Sequence, residues 1–172
     1  MNNRRNLVLL GFMGTGKSAL GRRVSVLAGC PFLEMDAELE ARAGRTISRI
    51  FAEDGEEAFR DMESQLAEEW GRREGTVIAC GGGAVLREEN LRALGRNGVL
   101  ACLTARPEVI LSRTARSKKR PLLAGENPER KIRDLLAVRA PLYAKIPLQI
   151  DTSDADLDTL AERLLDAWAK EN

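Results

Sequence analysis

Residues 11–18 read Gly-Phe-Met-Gly-Thr-Gly-Lys-Ser, a complete G-x-x-x-x-G-K-[ST] pattern. No other feature of the chain restricts its fold so strongly, because the pattern works only between a buried strand and a helix. Both flanks are present. Residues 7–10 are the apolar run Leu-Val-Leu-Leu, and 17–27 carry Leu20, Val24 and Leu27 at helical spacing. Glycines let the backbone curl so that successive N–H groups converge on an anion. A helix starting at Lys17 adds its N-terminal dipole and its uncommitted amides. Lys17 supplies charge for β- and γ-phosphates, and Ser18 a hydroxyl for Mg²⁺. At average usage of these residue types, a chance match in a chain this long arises about 0.5% of the time.

The rest of the chain alternates in the same way. Apolar runs at 32–35, 76–80, 99–103 and 148–151 read as further strands. Helical patterns are predicted at 37–43, 47–51, 56–72, 88–94, 107–114, 128–143 and 156–170, with Pro141 expected to disrupt the one at 128–143. Strands spaced by helices imply an α/β fold with a parallel sheet and right-handed crossovers. At 172 residues the expectation is one domain spanning 1–172. Residues 115–127, ARSKKRPLLAGEN, match neither pattern, and a basic loop of that length is usually functional or disordered.

Composition narrows the chemistry. Twenty-seven basic residues stand against 26 acidic ones, without the basic excess of a nucleic-acid binder. Aromatics at 4% argue against stacking platforms for single strands. There is no histidine, so a proton acceptor must be a carboxylate, a lysine or something less usual. Cys30, Cys80 and Cys102 form no CxxC pair and read as small apolar residues of a reducing compartment. The apolar stretch near the N-terminus is too short to span a membrane, which leaves the cytoplasm as the expected location. No guanine-specific N-K-x-D motif is present. Among small-molecule kinases, GTPase switches and larger ATPases, the first class fits best.

Acceptor chemistry is expected beyond the carboxyl ends of the strands. Glu34 and Asp36 alternate along the second predicted run and would share a face, able to hold Mg²⁺ and accept a hydroxyl proton. The alternative is ordinary acids at an exposed strand end. Gly81, Gly82 and Gly83 follow the third strand, where the absence of side chains suits close approach of a ligand, or simply a turn. On residue chemistry alone, Arg60 and Arg139 read as solvated surface charges.

Six segments, in order GFMGTGKS, FLEMD, GEEAFRDME, CGGG, RPLL and RAPLY, resemble the shikimate kinase family over about residues 7–151. The resemblance implies a three-layer P-loop kinase fold like that of nucleoside monophosphate kinases. Its five-stranded parallel sheet has order 2-3-1-4-5 with helices on both faces. It also implies transfer of phosphate from Mg-ATP to the 3-hydroxyl of shikimate, in aromatic amino-acid biosynthesis.

Carried across residue by residue, Gly14, Thr15, Gly16, Lys17, Ser18 and Ala19 would hold ATP, with Arg113 against the adenine. Ser18 and Glu34 would serve Mg²⁺. Asp36 would bind the substrate hydroxyls and act as base. Arg60 and Arg139 would clamp the carboxylate, with Glu63 holding the arginines. Gly81, Gly82 and Gly83 would line the acceptor site within reach of a helical segment at about 36–63. Arg120 would be the catalytic arginine of a lid at about 115–127, alongside Lys17 and Asp36. Two departures stand out. Glu34 replaces the family's usual aspartate, and 151–156 is acidic without an arginine, so adenine contacts there are expected from backbone. The competing readings are a related kinase for another hydroxy acid such as gluconate, and a non-catalytic ATP-binding paralogue. The expected partners are small molecules, with no nucleic acid or membrane, and the expected state is a monomer.

Overall fold

The computed structural model describes residues 4–115 and 127–171. Five parallel strands, β1 (Asn6–Gly11), β2 (Phe32–Glu34), β3 (Val77–Ala79), β4 (Gly98–Thr104) and β5 (Leu148–Asp151), form one sheet of order β2-β3-β1-β4-β5. This is the predicted order. The described helices are α1 (Lys17–Ala28), α2 (Met35–Ala43), α3 (Ile47–Glu53), α4 (Gly55–Trp70), α5 (Glu88–Gly95), α6 (Pro107–Thr114), α7 (Pro128–Tyr143) and α8 (Leu157–Lys170).

Alternation along β1 builds two cores. Leu7 and Leu9 face one side with Leu20, Val24, Leu160 and Trp168 of α1 and α8. Val8 and Leu10 face the other with Met35, Leu39, Leu66, Trp70 and Ile132. Both faces of the central strand are therefore covered, and its residues form a continuous apolar run rather than an alternating one. The carboxyl ends of β1, β2 and β3 open onto a common cleft.

Three local expectations change. Strand β2 stops at Glu34, and Asp36 lies in the first turn of α2. Asp36 and Glu38 suit that position because carboxylates stabilise the positive end of a helix. Glu34 and Asp36 are thus not paired by strand alternation. Pro141 does not break α7, which runs on to Tyr143. Its ring removes a bond to Ala137, an exposed residue, and the Ala144 amide still reaches Ala140 at 2.9 Å. Finally, the glycine triplet leads into a short 3₁₀ turn, Ala84–Leu86, which periodicity does not reveal.

Candidate active site

Gly16 is the N-cap of α1 at φ 94°, a conformation that L side chains rarely adopt. No side chain caps the helix there, so the first-turn amides are available to an anion. Lys17 Nζ folds back and donates to the Gly11 and Phe12 carbonyls at 2.8 and 2.9 Å. Phosphate oxygens are stronger acceptors than these neutral carbonyls. Thr15 is buried and donates to the Phe12 carbonyl at 2.8 Å, while Thr152 Oγ1 donates to the Thr15 carbonyl at 2.8 Å. The phosphate loop is thereby tied to the segment after β5.

Beside the loop, Ser18 Oγ donates to Glu34 Oε1, and Arg22 Nη2 donates to Glu34 Oε2 at 2.5 Å. Glutamate spans the gap from the end of β2 to the first turn of α1. Two hard oxygen donors from separate elements meet there, a set that suits Mg²⁺, which also takes phosphate and water oxygens.

The wall of the same cavity, about 510 Å³ in volume, also carries a buried charge cluster. Arg60 is 6% exposed and Arg139 4%, so neither is the solvated surface charge that residue chemistry suggests. Arg60 donates to Glu63 at 2.8 Å and to Glu56 at 2.9 Å. Its guanidinium also lies 5.2 Å from the Phe59 ring centroid, within cation–π range. Glu63 has no exposed surface. Burial pushes its carboxyl above the ordinary carboxylate range, and Arg60 pulls it back only in part. Glu63 Oε1 has no hydrogen-bond partner.

The glycine triplet makes room for this cluster. A Cβ on Gly81 would lie 2.7 Å from both Asp36 Oδ1 and Glu63 Oε1, and one on Gly83 would fall inside the Arg60 guanidinium. Arg139 Nη1 donates to the Gly82 carbonyl at 3.4 Å, and the Tyr143 hydroxyl donates to the same oxygen at 2.6 Å. Cys80 lies fully buried at the base of the triplet, and burial pushes its thiol far up, so it remains an inert apolar residue here.

Of the residues singled out from the sequence, Gly14, Gly16, Lys17, Ser18, Ala19, Glu34, Asp36, Arg60, Gly81, Gly82, Gly83, Arg113 and Arg139 line this one cavity, as does Glu63. Thr15 sits beneath the loop instead. Arg113 donates to the Thr152 carbonyl at 2.7 Å and to the Gly14 carbonyl at 3.3 Å, stitching α6 to the loop. Arg120 and residues 116–126 of the expected lid lie outside the described residues. Sequence reasoning passed over Arg22, Thr152 and Tyr143. Only Tyr143 carried a signal, standing one helical turn after Arg139. In the acidic 151–156 segment, Asp154 is paired with Arg106 at 2.6 Å.

A sequence profile described as shikimate kinase matches residues 13–169. The shikimate kinase of Caldanaerobacter subterraneus is 43% identical over 166 residues, covering 96% of this chain and 97% of that one. That of Desulforudis audaxviator is 48% identical over 148 residues, 86% of this chain and 78% of that one. Among solved structures, shikimate kinase from Acinetobacter baumannii in complex with shikimate superposes with a TM-score of 0.93 at 39% identity, over 98% of this chain and 95% of that one. A gluconokinase from Sinorhizobium meliloti has a TM-score of 0.66 at 18% identity, over 99% of this chain and 94% of that one, a likeness of fold alone.

Proposed function

The chain belongs to the shikimate kinase family, and from that premise we propose how its residues divide the reaction. The reaction is ATP-dependent phosphorylation of the 3-hydroxyl of shikimate, giving shikimate 3-phosphate and ADP. The observation that carries the reading is one cavity whose wall holds an anion cradle, two buried arginines and Asp36.

The amides of the phosphate loop and of the first turn of α1 hold the ATP phosphates. Lys17 exchanges the Gly11 and Phe12 carbonyls for phosphate oxygens. Gly14, Thr15, Gly16, Ser18 and Ala19 complete the nucleotide site, and Arg113 flanks the adenine. Support for Arg113 comes from its bonds to both Gly14 and Thr152. Ser18 and Glu34 would hold Mg²⁺, which supplies charge neutralisation between the phosphates.

Arg60 and Arg139 hold the shikimate carboxylate, an assignment supported by their burial, since a desolvated guanidinium pair suits an anionic ligand. Gly81, Gly82 and Gly83 keep the wall thin enough for the ring to approach. Asp36 accepts the proton of the 3-hydroxyl as its oxygen bonds to the γ-phosphorus and the bond to ADP breaks. Arg120 in the 115–127 lid steadies the charge of the transferring group.

The protein works as a single domain over 1–172, as a monomer, in the cytoplasm, on small molecules and without nucleic acid or membrane. Nearly balanced charge supports the absence of nucleic acid among its partners; among the described residues, no helix is long and apolar enough to cross a membrane. A coupled ADP-release assay tests the reading. Rapid release with shikimate, against background rates with gluconate and with no acceptor, is the expected result. Equal rates in all three would overturn it.

A further inference from the structure

Arg139 and Tyr143 stand one turn apart on α7, both are buried, and both donate to the carbonyl of Gly82. The two bonds are unequal. At 2.6 Å the Tyr143 hydroxyl makes a strong O–H···O bond, whereas 3.4 Å from Arg139 Nη1 lies beyond the usual range for N–H···O. A carbonyl has two lone pairs and can take both donors, but one good donor satisfies it. Burial pushes the Tyr143 phenol up to about 12, against the pull of the Arg139 guanidinium, so the hydroxyl stays protonated and remains a donor at working pH. Arg139 also lies 5.8 Å from the Phe12 ring centroid of the phosphate loop. Its guanidinium is therefore steadied on one side by a ring, and on the other by a weak tether to Gly82 and by the Tyr143 hydroxyl itself.

We propose that Tyr143 is a positioning residue for acceptor binding: its hydroxyl holds the Gly82 carbonyl so that the Arg139 guanidinium is released to the carboxylate of the substrate. This rests on the reading of Arg139 as half of the carboxylate clamp. Without the hydroxyl, Gly82 would keep Arg139 as its donor, because a half-buried carbonyl left unpaired is unfavourable. The substrate would then have to compete for the guanidinium.

Tyr143→Phe keeps the ring and deletes only the hydroxyl. Isothermal titration of this variant, of Arg139→Ala and of the double variant, each with shikimate, shikimate methyl ester and ADP, tests the proposal. Expected is a roughly tenfold loss of shikimate affinity in Tyr143→Phe, with ADP unchanged. The loss should vanish for the ester, which lacks the anionic carboxylate, and Tyr143→Phe should cost nothing further in the Arg139→Ala background. Unchanged shikimate affinity in Tyr143→Phe, beside a large loss in Arg139→Ala, would overturn the proposal and leave the clamp standing. A Tyr143→Phe loss shared equally by the ester or by ADP would mark a general packing role and overturn it as well. Unchanged affinity in Arg139→Ala would remove the clamp reading itself, and the proposal with it.

Discussion

Replacing Gly83 with alanine sets one methyl group against the guanidinium of Arg60. The backbone there, φ −94° and ψ −2°, is a conformation alanine also adopts in type I turns, so the chain should still fold. The new Cβ would lie 2.5 Å from Arg60 Cζ and 2.6 Å from Nη2, where ordinary contact begins at 3.4 Å. Arg60 must move by about 1 Å, and its bonds to Glu63 and Glu56 limit where it can go. Displacing it from a charge-assisted hydrogen bond to the substrate carboxylate costs about 1.5–3 kcal/mol, or about 10- to 10²-fold in affinity. Calorimetric titration of Gly83→Ala should show about that loss for shikimate and none for ADP. In an Arg60→Ala background the guanidinium that the methyl group meets is gone, so Gly83→Ala should add no further loss. Shikimate affinity within about twofold of the parent would refute the reasoning, as would a full additional loss in the Arg60→Ala background.

Lys17→Ala should lower kcat by about 10²–10³, or about 3–4 kcal/mol, in a protein that still folds; near-normal turnover would remove the nucleotide assignment. Glu34→Asp should be tolerated or raise turnover, and Glu34→Gln should cost less than Asp36→Asn. Steady-state kinetics decide this, and a dead Glu34→Gln beside an active Asp36→Asn would swap the two roles. Burial raises the Glu63 carboxyl above its ordinary 4.5, so across that window the native state binds more protons than the unfolded one, and stability falls as pH rises. Glu63→Gln has no such proton to lose. Its melting temperature should therefore gain on the parent's as pH rises above the ordinary carboxylate range, and a gap moving the other way would contradict the assignment.

The phosphate loop was legible because all its work is local: eight consecutive residues carry the turn, the charge and the hydroxyl. The sheet order followed from the family resemblance, and the strands from apolar runs whose burial on both faces needs no knowledge of partners. FLEMD alternates and so suggests that Asp36 lies on a strand, yet acids near the start of a helix fit equally well, and the structure starts α2 at Met35. Pro141 is expected to disrupt its helix, yet α7 runs through it to Tyr143, with residue 137 exposed one turn earlier.

The acceptor wall marks the boundary between the two kinds of information. Sequence by itself determined where an anion would be cradled, that strands and helices alternate, and which residue types a carboxylate-bearing substrate would need. Tertiary structure decided that Arg60 and Arg139, 79 positions apart by their numbers, leave water and converge on one cavity. It also decided that Tyr143 and Arg139 share one carbonyl. An arginine is the same residue on a surface as in a core. What differs is whether distant elements, here α4, α7 and the glycine turn after β3, close around it and exclude solvent. No local spacing encodes that closure, because its energy comes from contacts formed only when the whole sheet is assembled.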